Sequence, residues 1–163
     1  MSNKDKNIAD NKAMDMLQKA VDYAEKELLN SGSFRPFGVV LDSDDSEIIE
    51  NMIEDVEESY DKIGEEIELI IACKTIDIVV LAIETNVPER LAHKIEDDPK
   101  SSIRLHIEEK SQVGRVISAR YIYIPYQLYQ KEPNELFIKF YNPLPVGLKA
   151  EYITKEKHNI ELI

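Results

Sequence analysis

Three histidines, a single cysteine, a row of carboxylates and a group of tyrosines are the residues of this chain with chemistry to offer. His106 and Glu108 stand two residues apart in "SIRLHIEE". That spacing sets both side chains on one face of a strand, as a pair of metal ligands requires. The same stretch alternates Ile103, Leu105 and Ile107 with Arg104, His106 and Glu108, so the simpler reading is a half-buried strand whose polar pair faces solvent. His93 and His158 fall in a predicted loop and in the tail, too scattered to complete a ligand set. Cys73 ends a predicted helix that faces a sheet, where a thiol serves as a small apolar group rather than as a nucleophile. The chain has no P-loop, no double-glycine dinucleotide turn and no Gly-x-Ser-x-Gly elbow. The expectation is therefore no catalytic residue, no metal and no cofactor.

The carboxylates are more organised. In "EDVEESYDKIGEEIELII" the apolar residues Val56, Tyr60, Ile63, Ile67 and Ile70 follow helical spacing and would face a sheet. The helix then turns Glu57, Glu58, Asp61, Glu65 and Glu68 outward, with only Lys62 among them. Like-charge neighbours at this spacing each cost some ~0.2–0.5 kcal/mol at low salt. Two readings stand: a solvated face that keeps the protein dispersed, or a surface that docks on a basic protein partner. With 32 acidic against 20 basic residues the formal charge is −12. That charge argues against binding nucleic acid or an anionic membrane surface and favours basic partners. The tyrosines gather in "RYIYIPYQLY", where Tyr121 and Tyr123 take one face and Ile122, Ile124 and Tyr126 the other. A strand apolar on both sides is either wrapped by its own protein or shared with a second copy. Tyr121, Tyr123 and Tyr126 are thus the candidate surface of a homodimer, and Pro125 marks an edge or a bulge.

These groups must be held by elements that the chain spells out in turn. Met14, Leu17, Val21, Ala24 and Leu28 lie on one face of a helix predicted from Asp10 to Asn30, after a polar, flexible segment 1–9. Asp10 or Asn11 would cap its start and Gly32 would close its end in the left-handed conformation. Pro36 pushes Arg35 out of the α region. "FGVVLD" then reads as a strand that turns at "SDDS", and Gly38 within it allows a close approach. Residues 46–54 fit either a second strand or the start of one long helix. "TIDIVVLAIE" is a buried strand, "NVPERLAHKIEDDPKS" a polar loop, and "SIRLHIEE", "RVISARYIYIPYQLY" and "NELFIKFY" are strands, with Gly114 turning between the first two. The tail from Asn142 carries at most a short strand. At 163 residues and 43% hydrophobic content this is one domain with a real core. The fold class is α+β: a single antiparallel twisted sheet of five to six strands with two main helices. One cysteine, an N-terminus without a signal-peptide core and no apolar run of about 20 residues point to a soluble cytoplasmic protein.

"FRPFGVVLD" after a first helix, and "YIYIPYQL" after the "IRLHIEEKSQVGR" hairpin, resemble a group of small bacterial proteins. That group opens with Phe-x-Pro-Phe-Gly and carries Pro-Tyr in a late strand. The resemblance covers about residues 10 to 130, brings no activity with it, and implies a hairpin over residues 37–54. The element order is also similar to that of roadblock and profilin-like domains, which implies a scaffold or adaptor. The functional expectation is a non-enzymatic, acidic interaction protein, in its concrete form an inhibitor or immunity protein for a basic enzyme. The alternative is a roadblock-like dimeric adaptor, and an enzyme with an undescribed site comes third.

Overall fold

The computed structural model describes residues 3–133, 135–149 and 160–162. Helix α1 runs Asn3–Ser31, strands β1 and β2 Phe37–Leu41 and Ser46–Glu50, and helix α2 Val56–Cys73. Strand β3 (Ile78–Asn86) leads through the short helical turn α3 (Glu89–Ala92) to β4 (Ser101–Glu109). Strands β5 (Ala119–Glu132), β6 (Glu135–Phe140), β7 (Leu144–Lys149) and β8 (Ile160–Leu162) follow. They form one antiparallel sheet in the order β2-β1-β3-β4-β5-β7-β8, with β6 alongside the far half of β5. The α+β class and the order of elements match the expectation; the eight strands among the described residues exceed the expected five to six because the tail adds β7 and β8.

Helix α1 starts earlier than its apolar stripe implies, so Asp10 and Asn11 lie inside it rather than at its start. Its buried stripe is Met16, Ala20, Ala24 and Leu28, whereas Met14 is 64% exposed. The apolar period therefore runs through Met16 rather than through Met14. Gly32 ends the helix at φ +83°, its N–H donating to the Leu28 carbonyl at 2.8 Å. The hairpin reading of residues 37–54 holds. Asp42 turns it by accepting the N–H groups of Asp44 and Asp45, and Asp55 caps α2 by accepting the Glu58 N–H at 2.8 Å.

The sheet has a helix on each face. Helix α1 covers one face, against Phe37, Val39, Val80, Ala82, Ile103, Leu105 and Ile124. Helix α2 covers the other through Ile63 and Ile67 on Val40, Val79 and Leu81. Gly38 makes the second contact close: a β-carbon there would lie 2.8 Å from Ile67 Cδ1. Val56, assigned to the buried face of α2, is exposed in its first turn, and Ser59 is buried instead. Cys73 is also exposed, because α2 ends on it beyond the sheet's cover. Beside β5, the partner strand shifts register by one residue. Tyr126 pairs with Phe140 and Tyr123 with Leu144, so four steps on one side answer three on the other. Pro125 faces that bulge, its carbonyl accepting the Tyr141 N–H at 2.9 Å, so its missing N–H breaks no regular rung.

Candidate functional site

Strand β4 carries the most concentrated polar chemistry among the described residues. Across the α2 side of the sheet, one row runs Ile49, Gly38, Leu81, His106, Tyr121, Val146; the neighbouring rows place Val79 beside Glu108 and Ile83 beside Arg104. Each row is apolar under α2 and changes character at β4. The alternation predicted for "SIRLHIEE" is correct, but its polar face is not solvated: His106 and Glu108 are 1% and 2% exposed. The reason is that this face of the sheet is also covered around His106 and Glu108, while Arg104 on the same face is half-buried.

Inside that cover His106 Nε2 lies 3.2 Å from Glu108 Oε1. The imidazole meets the Tyr121 ring edge-on at 5.3 Å, and Tyr121 meets Tyr123 in the same way at 6.1 Å. The Arg104 guanidinium sits 4.4 Å over Tyr121 and 5.6 Å from Tyr60 of α2, a cation held between two rings. Burial first of all pushes the Tyr60 phenol up to about 12, with Arg104 opposing. Arg104 and Tyr60 belong to the group but were not singled out from sequence. Their signal was available, since Arg104 shares the alternation of His106 and Tyr60 lies on the buried stripe of α2. The arrangement places a cluster of polar and aromatic side chains against β4, buried at His106 and Glu108. A reactant would reach His106 only if the surrounding chain moved. Among the described residues no three His, Cys, Asp or Glu side chains converge on a point that could hold a metal. His93 is exposed in the loop after α3, and His158 lies outside the described residues.

The five acidic candidates are together. Glu57, Glu58, Asp61, Glu65 and Glu68 are all exposed on α2, and Lys62 pairs with Glu65 at 3.1 Å. Glu57 and Glu58 favour the positive end of the helix, but the last turn has no basic residue to offset its own negative end. The three tyrosines are not together. Tyr121 and Tyr123 lie on the α2 side, while Tyr126 lies on the α1 side with its hydroxyl donating to Glu84. Tyr123 and Tyr126 are 5% and 3% exposed, so the protomer itself uses these rings and neither presents a surface to a second copy. No helix among the described residues is long and apolar enough to cross a membrane. Comparison with protein-family models, with curated proteins and with solved structures gives no match to the chain.

Proposed function

We propose that the chain is a non-enzymatic adaptor, a small scaffold that pairs with a second copy of itself and holds a basic protein on α2. One observation carries this reading: the fold leaves two separate surfaces unused. The acidic face of α2 points away from the sheet above β1 and β3, and the far half of β5 runs on past the start of β4. Strand β5 is three strands from β1 in the sheet, about 14 Å away, so the two surfaces do not compete. A scaffold needs two such surfaces where an inhibitor needs one. The exposed thiol of Cys73 suits a reducing compartment, which supports a cytoplasmic adaptor. The second reading, an inhibitor or immunity protein that covers a basic enzyme, is favoured by the charge of −12, which would speed capture of a positive surface.

Tagged wild-type protein, immobilised at low salt, is expected to retain a basic partner together with an untagged copy of the chain. The variant E58Q/D61Q/E65Q is expected to retain the copy and lose the partner. A partner held one-to-one by a monomeric chain would favour the inhibitor. Undiminished retention by the triple variant would remove α2 as the docking surface.

A further inference from the structure

Between Asn86, which ends β3, and Ser101, which opens β4, the chain leaves the sheet as a loop that contains α3. Its base is closed by the Val87 N–H, which donates to the Lys100 carbonyl at 2.9 Å. Leu91 of α3 seats the loop on Tyr123 and Val146, beside Tyr121, on the α2 side of the sheet. At the far end, Asp97 Oδ2 accepts from Lys139 Nζ at 3.0 Å and lies 3.2 Å from the Tyr141 hydroxyl. That hydroxyl has one hydrogen to share between Asp97 and Gln127 Oε1, 2.9 Å away. Asp97 and its neighbour Asp98 have φ of +65° and +47°, and among the described residues they are the only two outside glycine with positive φ. We propose that residues 88–99 form a lid on the α2 side of the sheet, latched to β6 through Asp97 and strained at Asp97 and Asp98, which opens about its base while the sheet stays folded.

The forces on the loop are opposed. Lys139 and Asp97 are each about half exposed, so their ion pair is solvated and holds the closed form only weakly. Two successive aspartates in the left-handed region are unfavourable, and that conformation relaxes once the loop lifts. The base is independent of both. Asn86 pairs with Ser101 in the sheet, so β3 and β4 stay joined whether the lid is open or closed. Pro88 and Pro99 fix one backbone angle in each arm and make the loop move more nearly as a unit. Lifting it uncovers Tyr123 and Val146, which are 5% and 4% exposed when it is closed. Tyr123 meets Tyr121 edge-on, and Tyr121 meets His106 in the same way. The lid is thus a movable part of the cover beside the buried polar cluster of β4. This inference rests on the contacts of the loop and is independent of the adaptor reading.

The test uses the full chain with its exposed thiol removed and a new one set under the lid, C73S/V146C. Labelling of that thiol in the native state is expected to run at least about tenfold faster than the unfolded population measured in urea allows. Adding K139Q/Y141F cuts the latch from the β6 side without touching the loop, and should speed labelling roughly fivefold at an unchanged urea midpoint. At Asp98, glycine accepts φ +47° and a β-branched residue does not. Labelling should therefore be slowest in D98G, faster with Asp98 in place and fastest in D98V. Hydrogen exchange of the unmodified chain gives a second measure, in which the amides of residues 89–97 should exchange together and well before those of β4. Labelling that occurs only through global unfolding, or loop amides as protected as those of β4, would overturn the lid. A latch variant that labels no faster than its parent would overturn the role of Asp97, and equal rates in D98G and D98V the role of strain.

Discussion

At the scale of single residues, a costly feature of this domain is the His106–Glu108 pair, 3.2 Å apart and almost wholly removed from water. Taking ionisable groups out of water is unfavourable, and their mutual contact offsets this only while both are present. His106→Leu removes one partner of the buried Glu108 side chain and is expected to cost on the order of 1–3 kcal/mol in urea unfolding. H106L/E108L removes both groups and should cost less than the single change. A single variant within ~1 kcal/mol of wild type would mean that the pair is not coupled in the folded protein. Period-two alternation told from the sequence that these residues share a face. It could not tell that the face is covered, because burial depends on tertiary neighbours such as Tyr60 of α2 and Tyr121 of β5.

At the scale of elements, the local signals decided most of the fold. Gly32, Pro36, Asp42 and Asp55 each act within a few residues of themselves, as a left-handed helix end, an extended entry, a turn and a cap, and such roles are legible in one sequence. Placements that need tertiary partners were not. Met14 and Met16 are equally apolar, and only the angle at which α1 crosses the sheet decides between them. Cys73 ends a stripe that the sheet does not reach. The open end of β5 was hidden for the same reason, since an overhang exists only relative to where β4 begins. The tightest joint between elements is Gly38 on β1 beneath α2. In Gly38→Ala the new methyl would lie 2.8 Å from Ile67 Cδ1 and 3.2 Å from Ile63 Cγ2. Both isoleucines are fully buried, so the helix must shift or its side chains leave their rotamers, at a cost of about 1–3 kcal/mol. Ile67→Val trims the opposing atom and should recover part of that loss in the double variant. A neutral Gly38→Ala would mean that α2 rides higher on the sheet than these distances give.

At the scale of the whole molecule, the charge of −12 acts on the two proposed surfaces with opposite sign. Two copies of an acidic chain repel each other at long range, so the proposed pairing of copies forms against the net field. A basic partner is drawn in by the same field. Added salt screens both effects, with a screening length of about 8 Å at physiological ionic strength. The dimer should accordingly tighten as salt rises, while partner association at α2 should slow. E58Q/D61Q/E65Q removes three negative charges from one helix face and relieves like-charge neighbours on it, so folding stability should hold or rise slightly. In that variant the dimer should be as tight as wild type or tighter, and the association rate with the basic partner should fall and become less salt-dependent. Sedimentation gives the first quantity and stopped-flow or surface-capture kinetics the second, each over the same salt series. If both equilibria move in the same direction with salt, the two surfaces are not distinct. The acidic face of α2 would then be either part of the contact between copies or a solvated helix face with no docking role.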